Sequence, residues 1–491
     1  MELIKILNQL EYKSYNFKNI NIFNLFVNSK NVTKDSIFFA IDGVNTNGSL
    51  YVTEAVKNGA KVVVCSSKLK TNICQIVVKD VRKALAVMCA NFYNNVHKKL
   101  KLIAVVGTNG KTSTTKILGD ILSYSGKKVG LIGTNFVSFN GTNFEHNLTT
   151  PDTLELFKIF KQMVDCNVQY VVMEVSAHAI YLQKVYGLIF DFAIFTNFSQ
   201  DHLDFFGDMQ SYMHAKTSFF NDKQVKTALL NVDYAVGRQS AQQNNINGIT
   251  YGIKTPSDVF ANGISMDLTG CKFVVNYLDD VFFINSNLTC LFNVYNILAS
   301  ICVCKQLGID NTTIQKSLLY LKQIDGRFNL LNFGQNFNVI LDYAHTPESL
   351  KNLLENINNL NKNKTIVVFG CPGNRDELKR EIMGEIAGRY SDYVIITTDN
   401  PQYENSYRIM RNIERGVYKT NCPYKLIDNR SDAINLAFSL ASPKSNVVIV
   451  GKGNETYQNI NGEHVAYSDY NTIKQKLEVM KKLKLDNKFL F

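Results

Sequence analysis

Residues 102–112 read Leu102-Ile103-Ala104-Val105-Val106-Gly107-Thr108-Asn109-Gly110-Lys111-Thr112, an apolar run followed by a glycine-containing loop. The apolar run predicts a buried strand, and the pattern after Thr112 predicts a helix that begins at the loop. Glycines let backbone N–H groups turn toward an anion, and a helix N-terminus adds partial positive charge. The segment therefore predicts a phosphate-binding loop in which Lys111 reaches the β- and γ-phosphates and the Thr112 hydroxyl binds Mg²⁺. Its GxxGKT spacing is shorter than that of the usual GxxxxGK[ST] loop.

Strand and helix patterns alternate through much of the chain. Such alternation predicts parallel sheets covered by helices. The pattern changes twice, into a β-rich stretch at 258–287 and then into two helical stretches at 293–307 and 312–322. The strand-like runs lie at 36–41, 61–65, 102–106, 129–132, 170–175, 192–196, 339–342, 365–369, 393–397 and 447–450.

A chain of 491 residues is too long for one hydrophobic core, so we expect several domains. The patterns predict an α/β protein with three of them. The first is a small α/β N-terminal domain over 1–99, and the second is a central P-loop ATPase-like domain with a mostly parallel sheet over 100–332. The third is a Rossmann-like C-terminal domain over 333–491.

Composition narrows the class of protein. Hydrophobic residues make up 45% and charged residues 19%, a balance typical of folded proteins. We recognise neither a leader segment nor a long apolar run, so we expect a cytoplasmic protein without a membrane span. Ten cysteines without a CxxC pair indicate reduced, often buried thiols. The net charge of +11 suits nucleotides, but its lysines are spread out, so we do not expect nucleic-acid binding.

Polar residues that could bind a metal stand at the ends of two predicted strands. Glu174 lies inside an apolar run, where an unpaired carboxylate is rare. His202 belongs to the polar segment 197–204, which follows the next strand. Ligands of open α/β sheets bind at the carboxyl ends of the strands, so Lys111, Glu174 and His202 should meet there. The alternative is that Asp201 merely caps the coming helix.

With these residues assembled, the chain resembles the Mur ligases over nearly its whole length, and among them the class that adds the third amino acid to UDP-N-acetylmuramoyl-L-alanyl-D-glutamate. The order and spacing of several short motifs carry the resemblance, because any one of them alone would be weak. The motifs are Gly107–Thr112, Thr149-Thr150-Pro151, Glu174-Val175-Ser176-Ala177-His178, Asp201-His202-Leu203-Asp204, Asn293-Val294-Tyr295-Asn296, Gly326-Arg327, Asp342-Tyr343-Ala344-His345-Thr346-Pro347, Asp399-Asn400-Pro401 and Gly451-Lys452-Gly453.

The resemblance implies an ATP-dependent amide ligase of peptidoglycan precursor synthesis that works through an acyl phosphate. It implies Lys111, His202 and Lys216 as catalytic residues. It also implies Thr112, Glu174, His202 and a carbamylated Lys216 as Mg²⁺ ligands. A site built from separate domains further implies closure on substrate binding. The implied ATP contacts are Gly107, Thr108, Asn109, Gly110, Lys111, Thr112, Ser113, Asn296, Arg327 and Asp342.

The UDP-N-acetylmuramoyl-dipeptide would lie across the first two domains if the resemblance holds. In the first domain, Asn28-Ser29-Lys30 stands where the family usually has Asp-Ser-Arg. Lys184 replaces a common arginine, which keeps the charge but loses the bidentate fork. The implied contacts to this substrate are Ser29, Val44, Asn45, Thr46, Thr149, Thr150, Ser176 and Lys184.

The third domain should select the incoming diamino acid. Some of its residues favour meso-2,6-diaminopimelate and one favours L-lysine. Arg375 and Glu455 match the enzymes that add meso-2,6-diaminopimelate, whereas Gln402 stands where those enzymes carry arginine and the lysine-adding enzymes do not. We favour diaminopimelate, with L-lysine or another Mur-type ligase as alternatives. Phe206 and Asn454 replace histidines that are usual in the family. The resemblance alone implies that the protein is a monomer. The implied amino-acid contacts are Arg375, Asp399, Asn400, Pro401, Gln402, Gly451 and Glu455.

Overall fold

The structure is a computed structural model that describes residues 1–43, 46–134, 136–144, 148–242 and 247–486, and the side chains as far as residue 481. Three sheets, of five, eleven and six strands, follow one another along the chain. This arrangement confirms the predicted α/β fold class with three parts. The domain boundaries after residues 99 and 332 stay a prediction; the first strand of the third sheet is Asn329–Leu331.

The first sheet has the strand order β1-β5-β4-β3-β2. Its strands are parallel except β1, which pairs with β5 in the antiparallel direction. The Asp80 side chain accepts the N–H groups of Arg82 and Lys83 and so fixes the start of the longest helix of this part. The elements are α1 Leu3–Ile6, β1 Lys13–Tyr15, β2 Asn24–Phe26, β3 Ser36–Phe39, α2 Val52–Lys57, β4 Ala60–Cys65, β5 Cys74–Val77 and α3 Val81–Phe92.

The second sheet has the order β16-β15-β14-β13-β12-β11-β6-β10-β7-β8-β9 and is parallel from β14 to β7. Both ends of the sheet continue as antiparallel strands. Its strands are β6 Lys101–Val106, β7 Val129–Gly133, β8 Phe136–Phe139, β9 Thr142–Phe144, β10 Tyr170–Glu174, β11 Phe190–Phe195, β12 Val225–Asn231, β13 Gly248–Gly252, β14 Val259–Asp267, β15 Gly270–Tyr277 and β16 Asp280–Ser286. Its helices are α4 Lys111–Tyr124, α5 Thr153–Asp165, α6 Ala177–Tyr181, α7 Leu203–Phe206, α8 Met209–Thr217, α9 Ala235–Ala241, α10 Leu291–Gln306 and α11 Asn311–Leu319.

The third sheet has the order β17-β18-β22-β19-β20-β21 and is parallel except for β17. A separate hairpin, β23 with β24, follows it. The strands are β17 Asn329–Leu331, β18 Asn338–Asp342, β19 Thr365–Phe369, β20 Tyr393–Thr397, β21 Tyr424–Ile427, β22 Asn446–Val450, β23 Tyr457–Ile460 and β24 Glu463–Ala466. The helices are α12 Pro347–Leu360, α13 Leu378–Tyr390, α14 Ser406–Tyr418, α15 Arg430–Leu440 and α16 Asp469–Asp486.

The middle of the second sheet positions the phosphate loop. Strand β6 lies between β10 and β11, and its residues 103–106 are fully buried, as the apolar run predicts. The register pairs Glu174 with Val105, and Phe195 with Val106. The carboxyl ends of three neighbouring strands therefore meet at one edge of the sheet.

Within the described ranges, no helix is both long and apolar enough to cross a membrane. All ten cysteines lie in those ranges without a disulfide, and nine of them are buried.

Candidate active site

The loop after β6 has the conformation that its glycines predict. Gly110 has a φ of 83°, and Gly107 has a φ of 156°. A side chain at Gly110 would bring its Cβ within 2.6 Å of the Asn296 Oδ1, and one at Gly107 would meet the Thr196 hydroxyl. Both positions therefore exclude a side chain, so that the backbone can turn into the helix N-terminus at Lys111.

Lys111 folds back over the loop. Its Nζ donates to the main-chain oxygens of Gly107 at 3.0 Å and of Thr108 at 2.8 Å. Burial lowers the pKa of Lys111, and the negative charges of Glu174 and Asp201 offset only part of this shift. These carbonyl contacts hold the amine at the loop, from which it can turn to a phosphate.

Glu174 is fully buried and accepts hydrogen bonds from neutral donors. Its Oε1 accepts from the Thr112 hydroxyl at 2.8 Å and from the Thr134 N–H at 2.9 Å. Its Oε2 accepts from the Thr134 hydroxyl at 3.0 Å. The Thr149 hydroxyl contacts Thr134, and the Thr150 hydroxyl donates to the Glu174 main-chain oxygen. Thr112 and Glu174, two of the predicted metal ligands, therefore lie together.

Asp201 and His202 follow β11 and form a pair at the same edge. The His202 Nε2 lies 3.4 Å from the Asp201 Oδ2, and the His202 backbone has a φ of 54°. Burial lowers the pKa of His202, although Asp201 opposes the shift. A neutral imidazole keeps a free lone pair, which is the form that binds a metal. Asp201 lies just before the α7 helix, and the His178 ring packs edge-on against His202.

Lys216 is buried directly beneath the phosphate loop. Its Nζ donates to the Thr108 hydroxyl at 2.8 Å and lies 4.2 Å from the centre of the Tyr212 ring. The side chain is 1% exposed. Burial lowers the pKa of Lys216 well below that of an ordinary lysine, and Lys111 adds to the shift. A buried, readily deprotonated amine is the state that reacts with CO₂.

Arg327 and Asp342 reach the loop from the third sheet. The Arg327 guanidinium stacks on the Tyr343 ring at 4.4 Å and donates to the Thr112 hydroxyl at 3.4 Å. The Asp342 carboxylate accepts the N–H groups of Phe328 and Ala344, both at 2.7 Å. Burial raises the pKa of Asp342, and Arg327 opposes the shift. Asn296, on α10, accepts a hydrogen bond from the Thr114 hydroxyl.

Glu455 belongs to a polar cluster in the segments that follow β20 and β22 of the third sheet. Its Oε2 accepts from the Lys452 Nζ at 2.7 Å and from the Asn400 Nδ2 at 3.0 Å. The Lys452 Nζ also donates to the Asn400 Oδ1 at 2.9 Å. Gly451 has a φ of 111°, and a Cβ there would lie 2.6 Å from the Asp399 Oδ2. Four of the predicted amino-acid contacts, at 399, 400, 451 and 455, are thus neighbours.

Gln402 is held by the β23–β24 hairpin. Its N–H donates to the Asn459 main-chain oxygen at 2.9 Å, and its main-chain oxygen accepts from the Asn461 N–H at 2.6 Å. The backbone at Gln402 has a φ of 53°. These two hydrogen bonds hold the backbone at position 402, so that the side chain of any residue at this position extends from the same place.

One cavity of about 710 Å³ joins these groups and lies between the second and third parts of the chain. Of the predicted site residues that the structure describes, five do not line it: Gly107, Lys216, Pro401, Ser29 and Thr46. Gly107 is nevertheless part of the phosphate loop, and Lys216 contacts the loop directly. The predicted residues that line it are Thr108, Asn109, Gly110, Lys111, Thr112, Ser113, Thr149, Thr150, Glu174, Ser176, Lys184, His202, Asn296, Arg327, Asp342, Arg375, Asp399, Asn400, Gln402, Gly451 and Glu455.

The predicted uridine contacts belong to the first part of the chain, and the two that the structure describes, Ser29 and Thr46, lie outside the strands of its sheet. The Ser29 hydroxyl donates to the Glu54 carboxylate, and Ser29 is 4% exposed. Thr46 is exposed, and its main-chain oxygen accepts from the Gly43 N–H. The predicted contacts Val44 and Asn45 lie outside the described residues. In the second part, Lys184 forms an ion pair with Asp152 at 2.7 Å.

Several residues of the site carried no decisive signal in the sequence. Thr134 donates two hydrogen bonds to Glu174. Asn197 begins the polar segment 197–204 but was not singled out within it, and its side chain accepts the Asn109 N–H at 2.8 Å. Glu348 reaches across from α12 to the Asn109 side chain at 3.4 Å. Lys379, on α13, lines the cavity as well. The position of Glu348 directly after the Asp342–Pro347 motif could have indicated it.

Phe206 and Asn454, which replace usual histidines of the family, have different surroundings. The Phe206 ring packs against His178 and Tyr212, both at 5.2 Å between ring centres. Asn454 lies against Gly326, whose added Cβ would approach the Asn454 backbone nitrogen to 2.6 Å. An aromatic wall therefore lines one side of the His178–His202 pair.

Comparison with known proteins agrees with this geometry. The family model for the Mur ligase middle domain matches residues 105–304, and the model for the Mur ligase glutamate ligase domain matches residues 326–453. A third model, described as Mur ligase family, catalytic domain, matches residues 21–93.

Relatives and solved structures extend the match to nearly the whole chain. The UDP-N-acetylmuramoyl-L-alanyl-D-glutamate–2,6-diaminopimelate ligase of Caldanaerobacter subterraneus is 39% identical over 479 residues, 97% of this chain and 98% of that protein. The protein of the same name from Clostridium tetani is 39% identical over 486 residues, 97% of this chain and 99% of that protein. The chain therefore belongs to the Mur ligase family.

Solved structures share the fold. A UDP-N-acetylmuramoyl-L-alanyl-D-glutamate–2,6-diaminopimelate ligase structure has a TM-score of 0.68 at 27% identity and covers 94% of this chain and 95% of its own. The MurF ligase of Thermotoga maritima in complex with ADP has a TM-score of 0.62 at 20% identity, with coverage of 93% and 98%.

Proposed function

We propose that the protein is an ATP-dependent ligase that joins meso-2,6-diaminopimelate to the D-glutamate of UDP-N-acetylmuramoyl-L-alanyl-D-glutamate. The observation that carries the proposal is the single cavity in which the phosphate loop, Glu174 and His202 face Arg375 and Glu455. Relatives that are 39% identical over nearly their full length carry the name of this activity.

The proposed reaction has two steps that share one site. The D-glutamate carboxylate attacks the γ-phosphate of ATP, which gives an acyl phosphate and ADP. The amine of the diamino acid then displaces phosphate. Negative charge develops in each step, so that cations fixed in advance, such as Lys111 and Arg327, lower both barriers. Asn296 and Asp342 would contact the nucleoside part of ATP.

Magnesium fits the donors that the loop offers. Glu174 is a fully buried carboxylate that only hydroxyl and N–H donors contact, and such a group favours a nearby cation. Thr112, Glu174, His202 and a carbamylated Lys216 would hold Mg²⁺, which supplies positive charge against phosphate oxygens. Across the described residues, no three of His, Cys, Asp and Glu gather into a metal-binding group, so phosphates and water would complete the coordination.

The other substrate contacts follow from the same proposal. Thr149, Thr150, Ser176 and Lys184 would bind the muramoyl-peptide beside Glu174. Ser29, with Val44, Asn45 and Thr46, would bind the uridine nucleotide in the first domain. Action as a monomer, location in the cytoplasm and the two domain boundaries, after residues 99 and 332, belong to this proposal too.

The residues that would contact the incoming amino acid do not all favour the same one: Arg375 and Glu455 favour diaminopimelate, and Gln402 favours L-lysine. Arg375 would bind the carboxylate beside the reacting amine, and Glu455 an ammonium group at the far end. Asp399, Asn400, Pro401 and Gly451 would shape the pocket around them. Gln402 offers an amide in place of a second guanidinium, which favours L-lysine as the second candidate.

Trapping of the acyl phosphate tests the ligase class. The protein would be incubated with ATP, Mg²⁺, UDP-N-acetylmuramoyl-L-alanyl-D-glutamate and hydroxylamine, without any amino acid. We expect the hydroxamate of the D-glutamate side chain, detected by mass spectrometry, in amounts that match the ADP formed. ADP formation without hydroxamate would contradict the proposal, as would a hydroxamate that forms without ATP.

A further inference from the structure

Lys379 is a buried cation of the third part of the chain. The side chain is 5% exposed, and it lines the cavity that also holds the phosphate loop. Its Nζ donates to the His345 main-chain oxygen at 3.0 Å. An ammonium group has three donors, so two remain for another partner.

The other buried cations of this part are matched with carboxylates. Arg380 pairs with Glu404 at 2.7 Å, Arg430 with Asp469 at 2.8 Å, and Lys452 with Glu455 at 2.7 Å. Lys379 forms no ion pair with any carboxylate in the described ranges. A buried charge without a partner is costly, which indicates that a bound anion supplies the missing charge.

Two acids precede Lys379 closely in the chain, and neither pairs with it. Glu377 lies 3.8 Å from the Arg408 guanidinium, and Asp376 is used differently. Its Oδ1 accepts the Leu378 N–H at 2.9 Å, at the start of α13. Its Oδ2 is buried and has no hydrogen-bond partner among the residues described. Asp376 therefore does not neutralise Lys379 by direct contact.

The surroundings of Lys379 indicate which anion would reach it. Lys379 lies near enough to Asp201 and His345 for its charge to lower the pKa of both side chains. Asp201 and His345 in turn lie near His202, which is also close to Lys111 of the phosphate loop. Arg375 stands four positions before Lys379, in the segment that leads into α13, and lines the same cavity. Lys379 thus lines one cavity together with the phosphate loop and the proposed carboxylate-binding arginine, the cavity in which the activated carboxyl group and the amine would meet.

We propose that Lys379 is a further catalytic residue, which stabilises the oxyanion formed when the amine attacks the acyl phosphate. This inference rests on the proposed ligase function. The amine nitrogen forms a bond to the acyl carbon, and the carbonyl π electrons move onto oxygen. When the oxyanion collapses, the bond from the acyl carbon to the phosphate oxygen breaks. The departing phosphate takes the proton that the amine loses.

Separate measurement of the two steps tests this role. Without an amino acid, the burst of ADP formation reports the first step, and quench-flow after addition of the amino acid reports amide formation. Lys379→Met keeps the length of the side chain without its charge. We expect its ADP burst rate to stay within about threefold of wild type and its amide formation to fall about 100-fold.

A merely structural role through His345 predicts a different pattern. Lys379→Gln can still donate to the His345 carbonyl but carries no charge, so we expect it to be impaired nearly as much as Lys379→Met. Lys379→Arg should recover part of the rate. Lys364→Met is the matched control, because Lys364 also donates to a main-chain oxygen, that of Leu440, yet is exposed and does not line the cavity.

Several outcomes would overturn the proposal. They are a normal rate of amide formation in Lys379→Met, full activity in Lys379→Gln, or an equal loss in both steps. A structure of the wild-type protein with ADP and a phosphinate analogue of the tetrahedral intermediate tests it independently of variant folding. The Lys379 Nζ should lie within about 3.2 Å of a phosphinate oxygen, and a clearly longer separation would refute the role. If the wild-type protein formed no amide at all, the proposed function would fail instead.

Discussion

The Arg327 guanidinium donates to the Thr112 hydroxyl at 3.4 Å, although 215 positions separate the two residues in the chain. Thr112 belongs to the phosphate loop, whereas Arg327 directly precedes the third sheet and stacks on Tyr343. The same Thr112 hydroxyl donates to Glu174. The third part of the chain therefore contacts the loop at the residue that would hold both nucleotide and metal.

Replacement of Arg327 should weaken ATP binding more than it weakens folding. Arg327→Lys keeps the charge but loses the planar group that stacks on Tyr343 while it donates to Thr112. We expect the KM for ATP to rise about tenfold in Arg327→Lys and about 100-fold in Arg327→Ala. Steady-state kinetics with varied ATP measure the effect, with Arg389→Lys, on an exposed helix surface, as the control. An unchanged KM in both variants would refute the contact.

Removal of the Lys216 amine should abolish turnover. A buried amine whose pKa is well below the usual value can take up CO₂ and become a carboxylate beside the loop. Lys216→Ala should therefore lose at least about 1000-fold in kcat, without recovery in added bicarbonate. Mass spectrometry of the native protein under CO₂ should detect the carbamate. Turnover near that of wild type in Lys216→Ala would exclude this role.

Position 402 should control the choice between diaminopimelate and lysine. The β23–β24 hairpin holds its backbone, so that a substituted side chain extends from the same place. Gln402→Arg should raise the ratio of kcat/KM for diaminopimelate to that for L-lysine about tenfold, because a guanidinium binds the second carboxylate of diaminopimelate in bidentate fashion. Gln315→Arg, outside the cavity, is the control. A ratio that does not change would place the selection elsewhere.

His97 should make the protein less stable in mild acid. Its ring packs edge-on against Phe157 at 5.3 Å, its Nδ1 is buried without a partner among the described residues, and burial lowers its pKa from 6.5 to about 4. Between pH 6.5 and about 4, His97 therefore binds a proton in the unfolded chain but not in the folded protein. The free energy of unfolding falls as the pH drops through this range. At pH 5 this one group costs about 2 kcal/mol relative to neutral pH.

His97→Phe keeps an aromatic ring without a titrating group. Its melting temperature should fall less than that of wild type between pH 7.5 and pH 5, as measured by calorimetry. The variant keeps part of the decline, since burial also lowers the pKa of His178, His202 and His345. His214→Phe, at an exposed position, should behave as wild type does. The same decline in His97→Phe as in wild type would contradict the assignment.

The apolar runs predicted the parallel core well, because strands that are buried on both faces read as unbroken hydrophobic segments. The runs at 365–369 and 393–397 match β19 and β20 residue for residue. The short strands β1 and β2 and the β23–β24 hairpin were not predicted, since their residues are largely exposed or half-buried and lack an apolar pattern.

The phosphate loop and its metal ligands could be predicted for a similar reason. Lys111, Thr112, Glu174 and His202 each stand at the end of a recognisable strand, and parallel strands bring those ends together. Contacts between the second and third parts depend on how two folded units pack, which leaves no local pattern. Lys379 was therefore found only in the structure, and so was Glu348, although Glu348 directly follows the Asp342–Pro347 motif.

In the proposed reaction, the protein joins a diamino acid to the muramoyl-dipeptide in this cavity and cleaves ATP. Phosphate release from ATP with UDP-N-acetylmuramoyl-L-alanyl-D-glutamate, measured with meso-diaminopimelate, with L-lysine and with no amino acid, tests it most directly. We expect sustained phosphate release only when an amino acid is present, fastest with meso-diaminopimelate, together with an equal amount of the amide product. Release at the same rate without any amino acid, or the absence of an amide product, would contradict it.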